Sequence, residues 1–309
     1  MGKTFDTAVI GGGPAGLTAA VYGARSGLKT VLFDAGESGG ALASASKVAN
    51  FPGMPQAVPG SKIISILREQ AVNFGAEIID SRVDEITAAP PQKKISAGGE
   101  IIEAKTVIIA SGSMGRQAGI KGEKEFTGKG VGYCAACDAA FFKGKNVAMI
   151  GSPESILNEI DMVARFAKKI YAVIPSGAGK SEDELSEKSK LLQKHKPEEI
   201  FGEKFVEGLR VRDKEGRDAK LAVSGVFIYL KGNKPAVDFL KEGIKKSEDG
   251  CIETDPRTMA ASIEGVFAAG DVTCKSFRQA VVSASEGCRA ALSAEGYISG
   301  RKKPKHIWH

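Results

Sequence analysis

Cys134-Ala135-Ala136-Cys137-Asp138 is the stretch whose residue types and spacing could do chemistry. Two cysteines separated by two residues on a helical turn can close a small disulfide ring and reopen it, and a helix N-terminus favours the thiolate form. The acid directly after the second cysteine can hold or give the proton that thiol–disulfide exchange must move. Half a zinc site and a pair of ordinary buried cysteines are the competing accounts. Zinc would want a second ligand pair at suitable spacing. Cys251, Cys274 and Cys288 form no such pair, and neither do His195, His306 and His309. No metal site is therefore expected, and those three cysteines read as small buried hydrophobes. Redox exchange is the better account of Cys134 and Cys137.

A second group of residues points to a nucleotide. Gly11-Gly12-Gly13-Pro14-Ala15-Gly16 follows an apolar strand, residues 5–10. A helical pattern comes next, with Leu17, Ala20, Val21 and Ala24 on one face, then a strand from Thr30 to Phe33 that finishes at Asp34. This is the βαβ setting a G-x-G-x-x-G needs before it counts as a dinucleotide site. Gly11 permits the tight turn, Gly13 lets the backbone approach a pyrophosphate, and Gly16 allows close packing of helix on strand. The helix N-terminus stabilises phosphate charge, and Asp34 is placed to accept from a ribose hydroxyl.

Stepping along the chain gives the elements that must position these groups. Residues 36–60 are a glycine- and proline-rich loop, 61–74 an amphipathic helix, and short strands follow before a buried strand at 106–110. A second strand–turn–helix starts at 146–150, with Ile156, Ile160, Val163 and Ala167 on the buried helix face and a strand at 170–174. Residues 181–196 read as a charged helix stopped by Pro197, and 226–230 as a strand. The chain closes with a strand over 265–271 and a small-residue helix over 279–297. The fold class is α/β, with two Rossmann-like domains, the second inserted in the first.

The 309 residues suffice for two domains, and the composition is that of an ordinary soluble α/β protein. No signal segment and no apolar run long enough to span a bilayer is read, so a cytoplasmic location without membrane association is expected. The net charge of +6 is a mild excess, much of it in Arg301-Lys302-Lys303-Pro304-Lys305. It suits an acidic partner; no nucleic-acid recognition motif accompanies it.

Taken together, the glycine turn, Ala110-Ser111-Gly112-Ser113, the CxxC-Asp and Gly270-Asp271-Val272 with Arg278-Gln279-Ala280 resemble the low-molecular-weight thioredoxin reductases nearly end to end. The resemblance implies a homodimer with one FAD per subunit, a discontinuous FAD-binding domain at 1–114 and 237–309, and an inserted domain at 115–236 carrying the CxxC. It implies that Gly11, Gly13, Pro14, Ala15, Gly16 and Asp34 hold the adenosine and pyrophosphate. Gly40, Leu42, Asn50, Ala110 and Gly112 would lie about the cofactor. Gly270 and Asp271 would meet its ribityl or pyrophosphate, and Arg278, Gln279 and Ala280 its flavin end. Cys137 would be the sulfur beside the flavin, Cys134 the one that attacks the substrate disulfide, and Asp138 the acid–base group. A helix N-cap is the plainer role for Asp271.

The sequence departs from that family where a second nucleotide fingerprint is expected. Residues 151–156 read Gly-Ser-Pro-Glu-Ser-Ile. Pro153 removes an N–H, Glu154 adds negative charge, and Ile156 is large for close helix–strand contact. After the next strand comes Pro175-Ser176-Gly177-Ala178-Gly179-Lys180, with no arginine for a 2′-phosphate. An electron donor other than NADPH is therefore expected, an acidic ferredoxin first, in the manner of the family members that are ferredoxin-dependent. An NADPH-dependent thioredoxin reductase is the alternative, and a flavin-bearing redox sensor without turnover is the alternative of another class. Trp308, in the last residues, is expected to stack on the flavin face where a nicotinamide would otherwise lie; a disordered terminus is the plainer reading.

Overall fold

The computed structural model describes residues 3–301 except 36–38, 46, 89–91, 115–118, 134, 177–185, 231–233, 242 and 275–276. The chain divides into two compact units: Met1–Ser44, Phe51–Met114 and Lys234–His309 form the first, Ala45–Asn50 and Gly115–Asn233 the second. Strands and helices are numbered along the chain.

In the first unit, continuous apolar runs make strands buried on both faces. These are β1 (Thr4–Ile10), β2 (Thr30–Asp34), β3 (Glu77–Asp80), the long β6 (Glu100–Ile109) and β17 (Val266–Ala268). β3, β2, β1, β6 and β17 pair in parallel, in that order. The first half of β6 also carries an antiparallel meander with β5 (Lys93–Ala97) and β4 (Val83–Thr87). β7 (Ser113–Met114) pairs with β16 (Lys234–Pro235), so the chain leaves and re-enters this unit at one place. Helices α1 (Pro14–Arg25), α2 (Gly40–Ala43), α3 (Gly60–Asn73) and α6 (Ala280–Ile298) complete it. Ala15, Leu17, Ala19, Ala20 and Ala290 share one core cluster with β1 and β2. Lys93 is buried here, its Nζ 5.7 Å from the Tyr297 ring centroid and with no hydrogen-bond partner among the described residues.

The second unit repeats the plan. A five-stranded parallel sheet has the order β11 (Ser189–Gln193), β10 (Lys169–Ile174), β9 (Asn146–Gly151), β15 (Gly225–Tyr229), β8 (Val131–Gly132). An antiparallel meander joins β12 (Lys196–Gly202), β13 (Val206–Arg212) and β14 (Asp218–Ala222). Helix α5 (Pro153–Ala164) buries Ile156, Ile160 and Val163 against β9 and β10, and α4 (Ala135–Asp138) is a single turn. The α/β class with two Rossmann-like sheets is as the sequence led us to expect.

One element differs. The helix expected over 181–196 is not there from Ser189 onward: 189–193 is strand β11, and Pro197 sits inside β12 rather than ending a helix. The reason is tertiary. β11 completes the edge of the parallel sheet beside β10, Ile170 facing Ser189 and Val173 facing Leu192, and that pairing outweighs the helix propensity of its lysines. Residues 181–185 lie outside the described residues.

Candidate functional site

The glycine turn of the first unit is shaped by close approaches. Gly11 has φ +109° and donates to Phe33 O at 2.8 Å; a Cβ there would stand 2.4 Å from Ala110 O. A Cβ on Gly16 would stand 1.8 Å from Gly11 O, so α1 can lie against the end of β1 with glycine alone at that position. Gly12, which the sequence argument passed over, lies under the Asp34 carboxylate: a Cβ there would meet Asp34 Oδ2 at 2.1 Å, so that side chain would have to move. Around Gly13, by contrast, a Cβ would meet nothing within 4 Å. The backbone here is open on the side from which a ligand would come. Gly13 caps α1 without a side-chain bond, Pro14 occupies the first turn, and no acid stands there. The free N–H groups and the helix dipole are thus left to an external anion. Asp34 Oδ1 accepts from Ala35 N at 3.0 Å, while Oδ2 is buried with no partner among the described residues. A buried carboxylate oxygen without a donor is the acceptor a ribose hydroxyl needs. These residues fit a dinucleotide.

The loop after β17 reaches the same turn. Gly270 (φ +79°) donates its N–H to Glu286 Oε2 at 2.8 Å, and Glu286 is 2% exposed. A Cβ on Gly270 would lie 3.0 Å from Ala15 Cβ, and one on Gly287 2.0 Å from Ala15 O. Ala15 is therefore clasped between this loop and α6. Asp271 opens a 3-10 turn, Asp271–Thr273, capped by Gly270, so it stands inside the turn rather than at its cap. Burial pushes its carboxyl above the usual range, with Arg278 opposing and Glu286 adding to the shift. Gln279 is the N-cap of α6 and Ala280 its first residue, both half-buried, while Arg278 is exposed. Ala110 is buried at the end of β6. Gly112 takes φ +72° and accepts from Ala236 N, and Ser111 Oγ donates to Ala236 O at 2.6 Å. Gly40 begins α2 with φ +56°, and Leu42 packs half-buried on the α1 side of the core. Asn50 falls in the second unit. Trp308 lies outside the described residues.

In the second unit, residues 135–138 form the helical turn the CxxC requires; Cys134 and the Cys137 side chain lie outside what is described. Their supports are visible. Ala135 N donates to Tyr229 Oη at 2.9 Å, and Tyr229 Oη donates to Glu159 Oε2 at 2.5 Å. The phenol is pushed up by burial first and by the Glu159 bond second, so it holds its proton. Before Cys134, Tyr133 Oη donates to Glu123 Oε1 at 3.2 Å. Glu123, 1% exposed, accepts from the Gly119 and Ile120 N–H groups with its other oxygen. Asp138 Oδ2 lies over Gly132, where a Cβ would come within 2.8 Å of it. Burial raises the Asp138 carboxyl to about 6. Tyr229, Glu159, Tyr133 and Glu123 were missed by the sequence argument, which offered no spacing that could find them.

The second fingerprint folds differently from the first. Ser152 Oγ caps α5 by accepting from Ser155 N at 3.4 Å, and Ser155 Oγ donates to Ser152 O at 2.8 Å. A Cβ on Gly151 would meet Ser155 Oγ at 2.7 Å and Tyr229 Cβ at 2.8 Å. Ser152 thus takes one N–H at the start of α5, where the start of α1 has no side-chain cap. Ile156 is fully buried in the core of this unit. The Glu154 side chain and residues 177–185, Lys180 among them, lie outside the described residues.

One expectation about cysteine is corrected. Cys251 and Cys274 are joined by a disulfide, their Cα atoms 5.5 Å apart, instead of packing as separate hydrophobes. A separation of 23 residues carries no local signature, and the bond arises because Ile252 N donates to Val272 O and brings the two segments together. Cys288 is a free, half-buried thiol. Among the described residues no group of three or more His, Cys, Asp or Glu could hold a metal ion, and no helix is long and apolar enough to cross a membrane.

Residues 5–287 match the family described as Pyridine nucleotide-disulphide oxidoreductase. The chain is 43% identical to the thioredoxin reductase of Aquifex aeolicus (strain VF5), over 99% of this chain and 97% of that one. The crystal structure of thioredoxin reductase from Streptococcus pyogenes MGAS5005 matches with a TM-score of 0.90 at 32% identity, covering 97% of this chain and 100% of that one. A ferredoxin-flavin thioredoxin reductase from Clostridium acetobutylicum matches at 32% identity with a TM-score of 0.54, covering 97% and 99%.

Proposed function

We propose, for a chain that belongs to the pyridine nucleotide-disulphide oxidoreductase family, an FAD-dependent reduction of thioredoxin with electrons from a donor other than NADPH. The thioredoxin reductases it is similar to along nearly their whole length support the acceptor. In this reading the first unit holds FAD and the second carries the redox pair. Gly11, Gly13, Pro14, Ala15 and Gly16 would seat the pyrophosphate, Asp34 a ribose hydroxyl, and Gly270, Asp271, Gln279 and Ala280 the remainder. Bound FAD supplies the electron pair that opens the Cys134–Cys137 disulfide.

The chain's own residues do the rest. Cys134 Sγ attacks the thioredoxin disulfide, one substrate sulfur leaves, and a mixed disulfide forms. Cys137 Sγ then attacks Cys134, releasing the second substrate sulfur and restoring the ring; two electrons and two protons have passed to thioredoxin. Asp138, poised near neutrality, hands a proton to a departing thiolate. Tyr229 and Glu159 hold the start of the Ala135–Asp138 turn.

The observation that carries the donor reading is the start of α5, where Pro153 has no N–H and Ser152 Oγ takes the Ser155 N–H that a pyridine nucleotide's phosphates would use. A ferredoxin near about −400 mV driving a thioredoxin near about −270 mV releases about 6 kcal/mol per electron pair, which is ample. Anaerobic titration separates the donors. Reduced ferredoxin should bleach the flavin band while NADPH leaves it unchanged; bleaching by stoichiometric NADPH would sink the reading. The second reading, an NADPH-dependent enzyme, is favoured by the complete five-stranded parallel sheet of the second unit. Steady reduction of thioredoxin by either donor excludes a sensor without turnover. A homodimer belongs to the proposal, and light scattering checks it.

A further inference from the structure

We infer that Cys251–Cys274 is a second reducible disulfide, a clasp on the loop that closes the nucleotide cradle, whose opening by a dithiol loosens FAD. The inference rests on the reading of the first unit as the FAD site. Cys274 ends the 3-10 turn that begins at Asp271, and it donates its N–H to Asp271 O at 3.1 Å. Thr273 Oγ1 donates to Gly270 O at 2.9 Å, and Gly270 N is held by buried Glu286. Four consecutive steps of chain thus link the Cys274 sulfur to the backbone that packs on Ala15 at the glycine turn. From the other side, buried Cys251 is tied in by the Ile252-to-Val272 hydrogen bond.

Two further features suit a bond that opens. Cys274 has φ +49°, a left-handed conformation that a residue other than glycine rarely adopts. With the sulfur released, the backbone is free to leave it. An open groove of about 470 Å³ runs beside the pair, lined by Ser247, Asp249, Glu253, Thr273 and both cysteines, giving a thiol a way in. In the exchange, a thiolate of the dithiol attacks one sulfur and the Cys251–Cys274 bond breaks. A mixed disulfide forms, and the second thiol of the reagent displaces the protein sulfur. The dithiol leaves as a disulfide, and two electrons and two protons remain on Cys251 and Cys274. The dithiol made by the proposed reaction is one such reductant, so the clasp would report how far the reduced pool has filled.

The test uses holoprotein, kept anaerobic with or without dithiothreitol. Alkylation and peptide mass mapping read the thiols, and free-flavin fluorescence after dilution reads FAD release. Cys251 and Cys274 should be alkylated after dithiothreitol treatment alone, with FAD leaving roughly tenfold faster, the scale of one lost constraint. Cys251→Ser with Cys274→Ser should release FAD fast with or without the reagent. Cys134→Ser with Cys137→Ser should keep the dithiothreitol dependence. Reduction of the pair with no change in FAD release would overturn the inference, as would failure to reduce it; if the double serine protein does not fold, the wild-type measurement decides. Thioredoxin turnover tests the proposed function separately, since FAD release under dithiothreitol does not depend on it.

Discussion

Asp138 keeps its proton up to about pH 6 because it is buried beside Gly132. Its folded-state value lies above the ordinary 3.8, so the native state binds the extra proton between those limits. The stability this gives is complete below about pH 4 and is lost as pH rises through 6. Asp138→Asn should therefore raise stability at pH 8 by about 1–3 kcal/mol in urea melts. It should also slow disulfide reduction by about 10²-fold and erase the inflection near pH 6 from the rate profile. A neighbouring test concerns Tyr229. Tyr229→Phe strands the Ala135 N–H and the Glu159 carboxylate, which should cost about 1–3 kcal/mol in the same melts and lower activity without changing FAD content. At this scale the sequence was half readable. Asp138 stands next to Cys137 in the chain, but Tyr229 is 94 residues from Ala135 and 70 from Glu159, and folding alone brings them together.

The helices make the larger contrast. α1 and α6 cross so closely that Gly287 has no room for a methyl group against Ala15 O. Gly287→Val should cost about 1–3 kcal/mol by overpacking and displace the start of α1, lowering the FAD bound per chain in purified protein. The small-residue face of α6 was visible in the sequence, as were α1 and the strands built from unbroken apolar runs, because burial on both faces leaves no polar alternation to confuse them. β11 was not visible. Its residues are largely polar, and an edge strand is specified by its neighbour more than by itself. The Cys251–Cys274 bond was hidden for the same kind of reason: pairing between distant segments leaves no mark on local spacing.

For the whole molecule, one plan is used twice: a parallel sheet with a glycine-bearing turn after its leading strand, and a three-stranded meander beside it. The two copies have diverged at the turn. If an acidic ferredoxin feeds the chain, its net charge of +6 should speed the encounter, and the second-order rate of flavin reduction should fall roughly tenfold between about 20 and 200 mM salt. A rate indifferent to salt would argue against that donor.

If the donor is not NADPH, the turn at Ser152–Ser155 also bears on any attempt to re-engineer the chain toward pyridine coenzymes. Arginines planted after β10 would add attraction at a distance, yet the coenzyme's diphosphate would still meet Pro153, which has no N–H, and a Ser155 N–H already bonded to Ser152. If the proposed donor reading holds, gain of NADPH turnover should require the 151–156 strand-to-helix turn to be rewritten in glycine together with the new cations, and neither half of that graft should suffice by itself.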